Sequence, residues 1–147
     1  MQGPALRVLQ VYLWLICAFH VVTGLGVNGS QAFMETMAGW YGAKVDFTPQ
    51  FKTILHPLGA FMFILGVMAA AAAVNPLRYR AVVYGFAALF VIRGLQRVVF
   101  KQEIESAFQI EASRNLFNMA FFVAMGVTLA ALQCIVERRQ SPAVGAG

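Results

Sequence analysis

The sequence contains little charge. Only 12% of its 147 residues are Asp, Glu, Lys or Arg, whereas a soluble domain carries about a quarter. The formal net charge is +5, but the basic residues are scattered and form no run or stripe. A nucleic-acid partner is therefore not expected, and basic residues that flank membrane segments explain the charge better.

The sequence also lacks the residue groups of common active sites. Its two cysteines, Cys17 and Cys134, are far apart and make no Cys-x-x-Cys pair, so a metal ribbon or a thioredoxin-like motif has no support. No acidic residue falls within the long apolar segments, and no Ser-His-Asp set, Cys-His set or glycine-rich phosphate loop is identifiable. We therefore expect a protein that is not an enzyme.

What the sequence does contain is apolar. Hydrophobic residues make up 60% of it, and they concentrate in segments near the ~20 residues that cross a ~30 Å hydrocarbon core. The predicted spans cover about 8–27, 53–74, 81–100 and 112–136. Residues 1–147 are thus predicted to form a single all-α integral membrane domain, a bundle of four transmembrane helices with both termini on the same side.

Basic residues near the ends of the spans predict the orientation. The side that holds the termini has slightly more of them, namely Arg7, Arg78, Arg80, Arg138 and Arg139. The other side has Lys44, Lys52, Lys101 and Arg114. The positive-inside rule then makes the N- and C-termini cytoplasmic. The expected location is a bacterial inner membrane, with the lipid bilayer as surroundings.

The first outer connection, about 28–52, has signals of local structure. A short interfacial helix is predicted over 30–39 with Ser30 as its N-cap. Thr48 and Pro49 are the expected cap and first residue of the next helix.

The remaining connections differ in character. Residues 101–113 are predicted to be an amphipathic stretch at the membrane surface. "NPLRYR" (75–80) predicts a short turn that makes the second and third spans antiparallel neighbours. The tail "SPAVGAG" (141–147) is predicted to be a terminus that nothing anchors.

Small residues form stripes on three of the spans. Such stripes serve either packing within a bundle or docking onto another membrane subunit. They are Gly59, Gly66, Ala70 and Ala73 on the second span, Gly85 and Ala88 on the third, and Ala120, Ala124 and Thr128 on the fourth.

Two arginines interrupt the third span in "FVIRGLQRVVF". From the helical rise, Arg93 lies about 10 Å inside the outer end of the span and Arg97 about 5 Å. The Arg97 side chain is therefore expected to reach the membrane surface by snorkelling, whereas Arg93 is a turn too deep to do so easily.

Other polar side chains share that depth, so a candidate site is predicted in the outer leaflet. Its members are His20, His56, Arg93, Gln96, Arg97 and Asn118. Three interpretations stay open. In the first, these residues form hydrogen bonds between helices. In the second, they line a pocket for an anionic or oxygen-rich ligand such as a quinone headgroup or a lipid. In the third, His20 and His56 are the axial ligands of haem b, with Arg93 or Arg97 at the propionates.

The pattern "HPLGAFMFILGVMAAAAAVNPLRYR" leading to "FVIRGLQRV", together with the spans, resembles the DoxX-like and BphX-like families of small bacterial four-helix membrane proteins. The resemblance covers roughly residues 8–136. It implies a membrane location and a link to redox or quinone metabolism. Membrane thiol–quinone chemistry features in those families, and this sequence has no paired-cysteine motif for it.

The sequence as a whole favours an accessory or stabilising subunit of a larger energy-transducing or redox membrane complex, with other membrane-protein subunits as partners. The alternative is a redox protein that binds haem b or quinone and uses His20 and His56.

Overall fold

The computed structural model describes residues 3–140, and all regular structure in that range is helical. The tail 141–147 lies outside the described residues. The helices are α1 (Pro4–Gly29), α2 (Gln31–Trp40), α3 (Pro49–Val74), α4 (Arg80–Val99), α5 (Lys101–Ala107) and α6 (Ala112–Gln140).

Four of the described helices, α1, α3, α4 and α6, are long and apolar enough to cross a membrane. The prediction of an all-helical, multi-pass membrane protein is confirmed at this level. α1 begins about one turn before its predicted span, because Pro4 occupies a first-turn position that needs no backbone N–H. α3 begins at Pro49, the first helical residue that the sequence predicted. α6 continues about one turn further, and its last turn contains Arg138 and Arg139, whose charges suit a helix C-terminus.

Both predicted N-caps are confirmed. The Ser30 hydroxyl accepts a hydrogen bond from the Phe33 N–H (3.3 Å), and the Thr48 hydroxyl accepts one from the Phe51 N–H (3.2 Å). Ser30 is extended, so the chain leaves α1 and turns directly into α2. These caps satisfy backbone donors that a helix start leaves free.

The spans associate as two pairs. α1 packs along α3, and α4 packs along α6, while α1 and α6 bring the pairs together over a smaller area. α3 and α4 meet only sparingly, although the short turn joins them. The second and third spans were expected to be neighbours, and in the structure α3 and α4 share only a small area of contact.

Glycines allow the backbones of each pair to approach closely. A Cβ atom on Gly24 would lie 2.9 Å from the Phe63 Cα on α3, and one on Gly126 would lie 2.6 Å from the Ala87 carbonyl oxygen on α4. Close backbone approach is how membrane helices gain packing energy where lipid supplies no hydrophobic drive.

One of the predicted small-residue stripes packs inside the bundle, and the others lie on its surface. On α3, Gly59, Gly66 and Ala73 are buried and Ala70 is half-buried. The other stripes are exposed, so they do not build the bundle; their members are Gly85 and Ala88 on α4, and Ala120, Ala124 and Thr128 on α6.

The two long connections meet at one end of the bundle. The Lys44 N–H donates to the Phe108 carbonyl at 2.8 Å, which joins the segment after α2 to the end of α5. α5 covers only the first part of the predicted amphipathic stretch 101–113, because Gln109 adopts a positive φ of 48° just after the helix. Ile110 then turns into the protein and is buried.

Candidate functional site

A cavity of about 470 Å³ lies between α1, α2 and α6 at the end where the long connections meet. We name it the aromatic cavity, because ring-bearing side chains from four elements form much of its wall. They include Phe19 and His20 from α1, Trp40 from α2, Phe90 from α4, and Phe117 and Phe122 from α6. The exposed side chains of Leu15, Trp40 and Phe117 mark where it opens on the bundle surface.

A column of stacked rings forms the inner wall. Phe122 stacks on Phe90 at 6.4 Å between ring centroids, and Tyr41 stacks on Phe122 at 6.2 Å. Tyr41 is the residue that ends α2, so the interfacial helix brings its aromatic ring down against α6. The connection between α1 and α3 is thus part of the site.

Arg93 lies behind this wall. Its guanidinium carbon is 4.5 Å from the Phe122 ring centroid and 5.5 Å from that of Tyr41, and Nη2 donates to the Tyr41 hydroxyl at 3.2 Å. A guanidinium over aromatic faces is stabilised by the ring quadrupoles. Arg93 therefore points into the protein and holds the Tyr41 ring in place.

Arg97 differs from the expectation of a side chain that snorkels. It is half-buried, and its Nη1 donates to the Asn115 side-chain oxygen at 2.9 Å. Asn115 in turn donates to a Glu105 carboxylate oxygen at 3.1 Å. The start of α6 supplies this amide at the depth of Arg97, so the charge has a partner inside the bundle.

His20 is one of the most buried polar side chains, with 1% of its surface exposed. Its Nδ1 lies 2.8 Å from the Ile16 carbonyl oxygen one turn earlier on α1. The ring meets Phe19 and Phe86 edge-on, at 5.5 and 5.6 Å between centroids. The imidazole is thus fixed in orientation where it lines the aromatic cavity.

Asn118 is the second buried polar side chain of the aromatic cavity, with 6% of its surface exposed. Its Nδ2 donates to the Tyr41 carbonyl oxygen at 3.0 Å. Tyr12, on the α1 side, donates its hydroxyl to the Met125 carbonyl at 3.3 Å. Main-chain carbonyls therefore fix the orientation of each of these polar groups.

His56 and Gln96 do not join the site. His56 is exposed, and its Nδ1 lies 3.2 Å from the Asn28 side-chain oxygen. Asn28 is eight residues from His20 on α1, which is about 12 Å along the helix. Gln96 is exposed on the outer face of α4.

The six residues of the predicted candidate site therefore divide into three groups. His20 and Asn118 line the aromatic cavity, Arg93 and Arg97 lie behind its wall, and His56 and Gln96 lie elsewhere. His20 is buried and His56 is exposed beside Asn28, so the structure does not bring the two imidazoles together as a pair of axial ligands. Within residues 3–140, no group of three or more His, Cys, Asp or Glu side chains could hold a metal ion.

Sequence reasoning missed Tyr12, Tyr41 and Phe122 as site residues. Tyr41 has the clearest signal, since it follows Trp40 directly after the predicted interfacial helix. Aromatic residues at such a position are typical headgroup anchors. Only the fold of the connection shows that Tyr41 stacks inside the bundle.

A second, smaller cavity of about 300 Å³ lies where α4, α5 and α6 meet. Arg97 and Lys101 line it, but so does Glu105, whose carboxylate is already bonded to Asn115. Its mixed charge makes it a less defined site than the aromatic cavity.

No protein-family model matches the chain, and neither a curated protein nor a solved structure matches it. The resemblance to the DoxX-like and BphX-like families stays a prediction from the sequence.

Proposed function

We propose that this protein binds a lipophilic ligand with one polar head, of the quinone or quinol class, in the aromatic cavity. One observation carries the proposal: a cavity with aromatic walls also contains two buried, oriented polar side chains, His20 and Asn118. Ligand sites are typically concave and apolar, with a few polar groups that set orientation, and volumes of roughly 300–1,000 Å³ are usual.

The shape of the walls supports a flat head group. The stacked rings of Phe90, Phe122 and Tyr41 line the aromatic cavity, and a planar head group can pack edge-to-face against such a wall. The exposed residues at the opening, Leu15 and Phe117, are apolar, which suits a hydrocarbon tail that continues into the lipid.

The orientation predicted from the basic residues also indicates the leaflet in which the aromatic cavity opens. In a bacterial inner membrane with cytoplasmic termini, the aromatic cavity opens in the outer leaflet. The ligand would then enter laterally from the bilayer, as expected for a molecule that is soluble only in lipid.

Trp40 lines the aromatic cavity and can report binding. In a Trp14→Phe protein, Trp40 is the single tryptophan of the chain. We expect saturable quenching of its fluorescence when a short-chain quinone is added to the protein in lipid nanodiscs. Asn118→Leu should weaken binding about 3- to 10-fold, since it removes a buried hydrogen-bonding group.

Gln96→Leu is the matched control, because it makes the same kind of change on an exposed face of α4. Binding by this variant should equal that of the parent protein. Quenching that never saturates, with the same slope in all three proteins, would show partitioning into lipid and contradict the proposal.

We also propose a second role, that of an accessory or stabilising subunit in a larger membrane complex. The exposed stripe Ala120, Ala124 and Thr128 on α6 supports it. Small-residue stripes let a neighbouring transmembrane helix approach closely, and this stripe is not used within the bundle.

The size of the purified assembly in mild detergent tests this second role. We expect a particle larger than one chain that Ala124→Leu reduces to the monomer, because the longer side chain prevents close approach. Val22→Leu, an exposed apolar change on α1, should leave the size unaltered. A parent protein that runs as a monomer would rule the role out.

A further inference from the structure

We infer that the aromatic cavity selects ligands whose polar head donates a hydrogen bond, such as a quinol, phenol or alcohol hydroxyl, over heads that only accept, such as a quinone carbonyl. This inference rests on the proposed function, and it names the chemical form of the ligand.

The first step is the tautomer of His20. The Ile16 carbonyl can only accept a hydrogen bond, so the proton at the 2.8 Å contact lies on Nδ1 of the imidazole. No carboxylate lines the aromatic cavity, and a charged ring would lie unpaired among phenylalanines. The ring is therefore neutral, and its Nε2 is an acceptor without a partner in the described part of the chain.

The second step is the orientation of Asn118. Its Nδ2 donates to the Tyr41 carbonyl oxygen, which excludes the flipped amide. Oδ1 is then left as an acceptor, and none of the residues from 3 to 140 donates to it. The second N–H of the same amide is also free, so Asn118 can accept or donate, whereas His20 presents a lone pair only.

The third step concerns the donors nearby. The Tyr12 hydroxyl is used on the Met125 carbonyl. The Tyr41 hydroxyl lies against Arg93, which does not line the aromatic cavity. Arg114 lines it but is exposed, and it already donates to the Trp40 carbonyl. The Tyr41 O–H thus lies on the Arg93 side of the wall and Arg114 at the opening, which leaves the second Asn118 N–H as a donor inside the aromatic cavity.

The consequence is discrimination by a single hydrogen atom. A hydroxyl can donate to the His20 Nε2 or the Asn118 Oδ1 and satisfy a buried acceptor. A carbonyl or an ether oxygen can accept from the second Asn118 N–H, but it leaves the lone pair of His20 Nε2 unsatisfied. A buried polar group that loses its partner typically changes affinity about tenfold.

The test uses a 4-alkylphenol and its methyl ether, which have nearly the same shape and differ in the hydroxyl hydrogen. Binding is followed by Trp40 fluorescence of the Trp14→Phe protein in nanodiscs. We expect the phenol to bind about tenfold more tightly than the ether. A short-chain quinone should likewise bind more tightly after reduction to the quinol.

Two variants assign the effect to the named acceptors. His20→Phe keeps an aromatic ring among phenylalanines and removes Nε2, and Asn118→Leu removes Oδ1. His20→Phe should abolish most of the preference for the phenol, whereas Asn118→Leu, which removes an acceptor and a donor together, should weaken binding of the phenol and of the ether alike. The comparison in the parent protein requires no variant, so a variant that fails to fold does not remove the test.

The outcomes separate the inference from the proposed function. Equal binding of the phenol and the ether, or tighter binding of the quinone than of the quinol, overturns the inference and leaves the proposed function standing. If neither the phenol, the ether nor the quinone binds saturably, both fail.

Discussion

At the scale of single residues, the arginines show how a guanidinium is accommodated within a membrane span. Arg93 lies over the faces of Phe122 and Tyr41, and Arg97 bonds to Asn115. Charged residues within spans usually face the bundle interior and find polar or aromatic partners there. These contacts are with uncharged side chains, so the electrostatic partner of Arg93 is the ring system itself.

The planar shape of Arg93 should therefore matter more than its charge. Arg93→Lys keeps the charge but loses the plane that covers both rings and donates to Tyr41. We expect the free energy of unfolding to fall by about 1 kcal/mol or more, in line with partly desolvated cation–π contacts. Reversible unfolding in mixed micelles measures this change.

Gln96→Ala is the control for that measurement, because Gln96 lies on the same helix and is exposed. It should leave the unfolding free energy unchanged. If Arg93→Lys is as stable as the parent protein, charge alone explains the position and the stacking has no role.

At the scale of helices, glycines decide which spans pair closely. Gly94 of α4 and Gly126 of α6 each lie against the backbone of the other helix. A Cβ atom added to Gly85 of α4, by contrast, would have no neighbouring atom within 4 Å. On α4, a glycine is therefore needed for close helix packing at Gly94 but not at Gly85.

A glycine that contacts a neighbouring helix and a glycine that does not should respond differently to an added methyl group. Gly126→Ala is expected to destabilise the protein by about 1–3 kcal/mol, since the new Cβ would lie 2.6 Å from the Ala87 carbonyl oxygen. Gly85→Ala should be neutral or stabilise by up to about 1 kcal/mol, because alanine favours a helix more than glycine does.

Thermal unfolding in detergent compares the two variants directly. A Gly126→Ala protein that is as stable as Gly85→Ala would mean that α4 and α6 do not approach as closely as described.

At the scale of the whole molecule, the two long connections meet at the end of the bundle that contains the aromatic cavity. Lys44 and Phe108 join them through the backbone. At the other end, Gln10 donates to the Ala73 carbonyl and Gln133 to the Pro76 carbonyl beside the α3–α4 turn. The two ends of the bundle are therefore chemically distinct.

The proposed orientation places the α3–α4 turn in the cytoplasm. In a Cys17→Ala/Cys134→Ala background, Asp46→Cys should react with a membrane-impermeant maleimide on intact spheroplasts, and Asn75→Cys should react only after permeabilisation. Both side chains are exposed. The reverse pattern would place the termini and the turn outside.

Part of the candidate site was already indicated by depth. Arg93, His20 and Asn118 were expected at one level of the membrane, and they do lie around one group of rings. His56 and Gln96 were expected there as well, but they are exposed. A helical rise of 1.5 Å per residue gives the depth of a residue along the helix axis. It does not give the direction in which the side chain points around that axis.

The sequence by itself determined the helical class, the four spans and the caps at Ser30 and Thr48, because run length, hydropathy and capping chemistry act locally. Only the tertiary structure decided which faces meet. The rotation of each helix about its axis depends on close approach at Gly24 and Gly126. That rotation, together with the fold of α2, brings His20, Tyr41 and Asn118 to one cavity and leaves the stripe on α6 exposed.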